Sequence, residues 1–493
     1  MRRVIRAKSC QVLLVLGLGM YSMPAAWSFD TGHHYDLTRE ALQAEGVGDT
    51  AIRVAQVQNA LVDYFSNSPV ATIEPDVAKL HFDNLFSTGD VRNYWWRLTR
   101  ATKNAVQQAV RDKDTLKLLT LLGISLHAVQ DFYAHSNWVE THPRQAGGAY
   151  RTETWFRSPP GVNGPAVYSG AYPKMQPGGV VLHGDYSSGL NHDSYVRPRW
   201  DEAYVFAYAA SREWARAIKL WAGEINPSFW QSVSNYTAGP NSNALKQEEI
   251  AAYRLAEWVR TPKHDGHWKG NHSGSVAEFG KFAVAYAAGS DSVYVQQFKQ
   301  RNVHRLLSQE LFLRDGSPVP PTPAPIDIPS AARSTVDRRV VIIRTLSVKE
   351  REVGFFEQKI DPGGQADFYA KITVAGQTFI EAMQLDRASL TPSWTTLKFV
   401  HRFGLPLKIR YELWDEDGGL GGDDDHCDIN PKENARDLNF SYVLGSHACS
   451  GDVKGVHDSA GNAYVSAGAK PDSDRAEIKF FITTQSVIEA PGS

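Results

Sequence analysis

The stretch 316–329 carries six prolines, at 318, 320, 321, 323, 325 and 329. Proline fixes φ and lacks an amide proton, so neither a helix nor a sheet ladder can run through such a segment. The chain is therefore cut into units that must each bury their own core. At 493 residues it is long enough for two or three. The expected organisation is a leader over 1–26, a first unit over 27–315, a proline-rich linker over 316–334 and a second unit over 335–485.

The two units differ in texture. In the first, 37–42, 51–65, 91–110, 116–135, 201–221, 248–259 and 276–311 carry apolar residues at helical spacing. Between 143 and 199 Gly, Pro and Ser crowd a stretch with no period, an irregular insertion of a length that often serves function. In the second, 340–346, 366–374, 407–414 and 476–483 alternate or run apolar, with glycine-rich turn signals between them. The predicted class is a multi-domain protein, mainly helical first and an antiparallel β-sandwich second.

Arg2, Arg3, Arg6 and Lys8 precede an apolar run over 12–20, with small residues at Ala25 and Ala26. That is the pattern of a secretory leader, and the run is too short to span a bilayer. The expected location is secreted, extracellular or periplasmic. Without those four charges the formal net charge falls by four, from −2 to −6. A mildly acidic chain argues against a phosphate-tracking surface, so no nucleic-acid partner is expected. No stable protein partner is inferred either. With Cys10 in the leader, Cys427 and Cys449 remain, and an even pair in an oxidising compartment reads as one disulfide.

Within 116–135, His127, Asp131 and His135 recur every fourth residue. Four residues make slightly more than one turn, so all three side chains leave the same helix face. Imidazole nitrogen and carboxylate oxygen are zinc ligands, and an aspartate between two histidines can bridge two metals. One such pair could equally be a satisfied buried His–Asp network; three in register favour metal. His33 and His34 open the first helix, Asp63 ends an amphipathic one, and His81 follows in Leu80-His81-Phe82-Asp83. His264, His267 and His272 crowd a glycine-rich stretch that reads most simply as an exposed polar loop.

These pieces together resemble the zinc-dependent phospholipase C and P1-type nuclease superfamily. The resemblance is to the branch of fungal heterokaryon-incompatibility C proteins and bacterial phospholipase C relatives. It rests on His34-Tyr-Asp-Leu-Thr-Arg-Glu-Ala-Leu42, on Leu126-His-Ala-Val-Gln-Asp-Phe-Tyr-Ala-His-Ser-Asn-Trp138 and on Leu190-Asn-His-Asp-Ser194, and covers most of 27–315. It implies a helical domain with two or three zinc ions. The implied ligands are Trp27 (through a free amine after cleavage at Ala26), His34 with His33 as second candidate, Asp63, His81, His127, Asp131 and His135. Asp63 would also be the catalytic base. The family's final histidine, with a carboxylate four residues on, has no counterpart, since Trp200 and Tyr204 stand there. Asp193, with His192 and Asp201, is the nearest substitute.

In the second unit, 413–430 is dense in aspartate and glycine, and hard oxygen ligands on turning loops suit calcium. Together with 366–374 and Trp394 it resembles a C2 domain. That resemblance implies Ca2+ held by Asp367, Asp415, Asp417, Asp423, Asp425 and Asp428, and a phospholipid membrane surface as partner. The expected activity is that of a secreted phosphoric diester hydrolase, a phospholipase C that cleaves phosphatidylcholine or similar lipids to diacylglycerol and a phosphorylated headgroup. Adjacent zinc ions would neutralise the phosphate and a carboxylate would take the proton from water. Two alternatives are a single-strand nuclease on the same scaffold and a non-enzymatic membrane-binding effector with a degenerate site.

Overall fold

A computed structural model describes residues 31–67, 77–144, 148–160, 164–171, 190–239 except 194 and 196, 242–259 and 292–299. It also describes a few isolated positions between 282 and 332, and 339–488 apart from 352–359, 361–364, 382–386, 401–404, 416–424, 457–461 and 471–473. The leader, Trp27, nearly all of the linker, His264, His267, His272, Asp417 and Asp423 lie outside the described residues. No helix among the described residues is long and apolar enough to cross a membrane.

The first unit is helical, as its periodicity requires. Its long helices are α1 (Thr31–Ala44), α2 (Asp49–Asn67), α3 (Thr88–Arg111), α4 (Thr115–His135), α5 (Trp200–Ile225) and α6 (Ser242–Val259), followed by a short α7 (Val293–Lys299). Helix α4 is the centre. Asp114 caps its start by accepting from the Lys117 amide, and every residue from Leu118 to His135 is buried. A helix apolar on all sides must be surrounded, and α2, α3 and α5 pack around it. Gly123 sets the closest approach: a Cβ there would run into the Ala55 carbonyl of α2 and come within 2.8 Å of Gln58 Cβ.

Among the described residues the second unit is two sheets whose strands pair antiparallel except at one joint. One sheet runs β1 (Tyr150–Arg151), β13 (Ala476–Ile488), β2 (Arg339–Glu350), β5 (Ser389–Leu390), with β12 (Tyr464–Ala467) on β13 and β6 (Thr395–Val400) on β2. The other runs β11 (Gly455–Val456), β10 (Ala448–Gly451), β9 (Leu438–Val443), β7 (Leu407–Asp415), β3 (Phe368–Val374), β4 (Gln377–Ile380), with β8 (Asp425–Cys427) on β7. Inward residues of both sheets, including Ile343, Phe368, Trp394, Tyr411 and Phe480, form one core. The mixture of a helical unit and antiparallel sheets agrees with the expected class.

The two units are not merely strung together. Val340, Leu397, Phe399 and Val487 of the sheets belong to the helical core. Tyr208 of α5 stacks on Phe399 with ring centres 3.6 Å apart. Strand β1 comes from the irregular insertion and pairs in parallel with β13, Tyr150 opposite Val487. Glu40 of α1 accepts from Lys398 Nζ at 2.8 Å and from the Phe399 amide at 3.2 Å.

The expected disulfide is corrected by the register. Cys427 and Cys449 are both free and buried. Cys427 sits opposite Leu413 of β7, while Cys449 sits opposite Tyr442, which is itself opposite Leu407. Six positions along a strand is roughly 20 Å, far beyond the reach of a disulfide.

Two outcomes follow from this packing. Gly123→Ala should lower unfolding stability by about 2–3 kcal/mol, read from denaturant midpoints, because the α2 backbone cannot yield. Burial lifts the Glu40 carboxyl to about 6, against the pull of Lys398. Its folded form therefore holds a proton more tightly than the unfolded chain, so its contribution is full below pH 4.5 and lost as pH rises to about 6. The stability of Glu40→Gln relative to wild type should rise by about 2 kcal/mol between pH 4 and pH 7.

Candidate metal centre

Four elements deliver the site. Helix α1 brings His34, α2 brings Asp63, α4 brings His127, Asp131 and His135, and the 3-10 turn Val77–His81 brings His81. His34, His127 and Asp131 are fully buried, whereas Asp63 and His81 keep 4% and 6% exposure. The solvent-side edge of the cluster is thus Asp63 with His81.

The two carboxylate oxygens of Asp131 face different partners. Oδ1 lies 2.9 Å from His34 Nε2. Oδ2 lies 3.0 Å from His81 Nδ1 and 3.1 Å from His127 Nε2. Those two nitrogens are 3.1 Å apart, and Asp63 Oδ1 stands 3.6 Å from His127 Nε2 and 3.8 Å from His81 Nδ1. The five separations run from 3.0 to 3.8 Å. A four-coordinate zinc with bonds of about 2.0–2.1 Å puts its ligand atoms about 3.3 Å apart. Asp63, His81 and His127 therefore fit one such ion by distance as well as by chemistry, with Asp131 Oδ2 beside both imidazole nitrogens. His34 and Asp131 Oδ1 offer a second position across the same carboxylate.

His135 forms a separate node one turn further on. Its Nδ1–H donates to the His81 carbonyl at 2.6 Å, with Asp83 Oδ1 at 3.2 Å, and its Nε2 is 3.2 Å from Asp193 Oδ1. Phe82 makes this possible. It sits in the left-handed region at φ 59°, a strained setting for an aromatic residue. There the His81 ring faces Asp131 while its carbonyl faces His135. Tyr94, Trp95 and Phe132 hold the Phe82 ring in place.

The electrostatics follow from burial and proximity. Burial raises the Asp131 carboxyl, but His127, His135 and His34 outweigh it and hold it well below the usual range. Burial lowers His127 to about 4 despite Asp131, so its ring is neutral at physiological pH. Burial also opposes a charge on His34, but Asp131 and Asp63 overcome it and raise its pKa. Burial likewise opposes a charge on His135, which Asp83, Asp131 and Asp193 raise well above the ordinary value.

A family profile described as the VWA7 N-terminal domain matches residues 49–147. That segment contains Asp63, His81, His127, Asp131 and His135 but is well under half of the chain. No curated protein matches. Among solved structures, a C2 domain of plant Extended Synaptotagmin 1 is 13% identical, covering 32% of this chain and all of that one, with a TM-score of 0.21. Human GIVD cytosolic phospholipase A2 is 12% identical over 32% of this chain, with a TM-score of 0.20. This chain spans only 17% of that enzyme's length. Scores this low carry no argument about fold or activity.

Other expected residues are placed as follows. His33 points away from the cluster, because neighbours on a helix diverge by about 100°. Its ring lies against Trp200, Tyr195 and Tyr204, beside β4 and β6. Trp200 thus belongs to the joint between the units, where Tyr204 and Leu397 lie beside Asp36 and Glu381. Asp367, Asp415 and Asp425 meet at one strand end: the Asp367 amide donates to Asp415, and Asp425 is opposite Asp415. Asp428 does not join them. It is fully buried, and its oxygens accept from the amides of Asn430 and Lys470. A further convergence of Glu412, His426 and Asp437 already holds a cation, since Arg410 Nη2 reaches Asp437 at 2.6 Å and Glu412 at 3.0 Å. Sequence reading missed Asp83, Asn59 and Gln130 as site residues. Asn59 is one turn before Asp63 and Gln130 three residues after His127, so helix spacing was the available signal.

After dialysis against trace zinc, elemental analysis should show His34→Ala and Asp131→Ala each losing about one ion or more per chain. His33→Ala should match wild type; equal loss from His33→Ala and His34→Ala would contradict this placement.

Proposed function

We propose that this chain is an exported zinc-dependent phosphodiesterase, a phospholipase C that cleaves phospholipid to diacylglycerol and a phosphorylated headgroup. The observation that carries the reading is the convergence of Asp63, His81 and His127 at zinc-ligand spacing, with His34, His127 and Asp131 as an adjoining group. Such a set would hold one divalent ion, and His34 with Asp131 Oδ1 would contribute to another. Ions held there would supply the Lewis acidity that neutralises a phosphodiester and makes water acidic enough to react at neutral pH.

The chain's own residues account for the rest. Asp131 is ionised and keeps an oxygen toward each position. Neutral His127 offers an unprotonated nitrogen. Asp63 is buried but keeps 4% exposure where Asp131 has none, and it is the carboxylate that can orient a water and take its proton. The neighbouring β unit supports a lipid rather than a nucleic-acid substrate. It resembles a C2 domain in sequence, and Asp367, Asp415 and Asp425 share the strand end where calcium would bridge to a membrane surface.

A second reading has one observation in its favour. Trp200 and His33 pack together in the joint between units, so a metal position that relatives fill is replaced by an apolar contact. On that reading the protein is a membrane-binding effector without turnover.

Phosphocholine release from phosphatidylcholine vesicles decides between them. Release should stop after chelation and return with zinc, and Asp63→Asn should lower it by about 10²–10⁴-fold. Release that survives chelation would sink the zinc mechanism. Zinc-loaded protein without release would favour the effector.

A further inference from the structure

Behind the ligand histidines lies a buried pair of amides. Asn59 Oδ1 is 3.0 Å from His127 Nδ1, and Gln130 Oε1 is 2.6 Å from His34 Nδ1. The two amides are joined, because Asn59 Nδ2 donates to Gln130 Oε1 at 3.1 Å and to Thr38 Oγ1 at 3.0 Å. Gln130 Nε2 donates to Ser211 Oγ at 3.1 Å and to Thr38 Oγ1 at 3.3 Å. Asn59, Gln130, Thr38 and Ser211 are all fully buried.

An amide oxygen can only accept. Facing Nδ1 of each ring, it requires a proton on that nitrogen, and a neutral imidazole then carries its lone pair on Nε2. Nε2 is the atom that faces Asp131 in both residues. Neither amide can turn over alone, since that would set two oxygens or two amino groups against each other 3.1 Å apart in a dry interior. The pair therefore ties the two rings into one state.

We infer that Asn59 and Gln130 are positioning residues that jointly fix His34 and His127 in the Nδ1–H form, so that both present Nε2 to metal on Asp131. The inference rests on the zinc reading and adds the residues that orient its ligands. Because the amides come from α2 and α4, the contact between those helices and the ligand geometry depend on the same residues.

The test is zinc affinity by chelator competition on the full chain, with metal-free unfolding midpoints measured in parallel. Gln130→Met, which fills the space but cannot accept, should weaken zinc binding by about 10–100-fold, and Gln130→Glu, which restores the acceptor, should stay within about threefold of wild type. Long-range 15N spectra of metal-free wild type should show His127 protonated at Nδ1. Equal zinc affinity in Gln130→Met and wild type would overturn the inference, as would an Nε2-protonated His127. Weakening in Gln130→Met that Gln130→Glu fails to rescue would also overturn it, reducing Gln130 to a packing residue. The spectrum is read on wild type, so the inference stays exposed even where a variant does not fold. Wild type that binds no zinc would remove the metal centre itself.

Discussion

Asp131 is a carboxylate with no exposure, near the C-terminal end of α4, where every residue from Leu118 to His135 is buried. An unpaired charge there would cost several kcal/mol. The rest of the helical unit can be read as the set of partners that makes this tolerable. His34, His127 and His81 surround its two oxygens, and each comes from a different element. Helices α1, α2 and α4 and the turn at His81 must therefore meet at one point. Gly123 allows α2 and α4 to meet as closely as they do, and the strained Phe82 lets one residue serve two nodes of the site.

Helix α1 carries two faces with different tasks. His34 faces Asp131, while His33 and Glu40 face strands of the second unit. The sheets therefore rest on the helix that supplies His34 to the cluster. Tyr208 on Phe399 and the parallel pairing of β1 with β13 extend the same contact. The sheets and the His–Asp cluster are thus joined through packed side chains.

Periodicity was enough to find the long helices and four of the strands, because apolar stripes of period 3.6 and 2 are local properties. The row of His127, Asp131 and His135 in α4 was equally legible, since one helix fixes three side chains on one face. The choice between His33 and His34 was not, because both lie on α1 and only packing decides which face turns inward. The cysteine pairing failed for a related reason. Two cysteines are an even number in any fold, but their distance is a matter of strand register. Asp428 looked like one more carboxylate in an acidic run, and only the approach of the Asn430 and Lys470 amides gives it a structural task.

The sequence by itself determined that helices precede strands and that His127, Asp131 and His135 share one face of α4. These depend on bonds and spacings within a few residues. The tertiary structure alone decided that Asp63 and His81 join that face, that His33 does not, and that Asn59 and Gln130 stand behind His127 and His34. Those outcomes depend on which surfaces of separate elements are buried against one another, and burial is a property of the assembled chain.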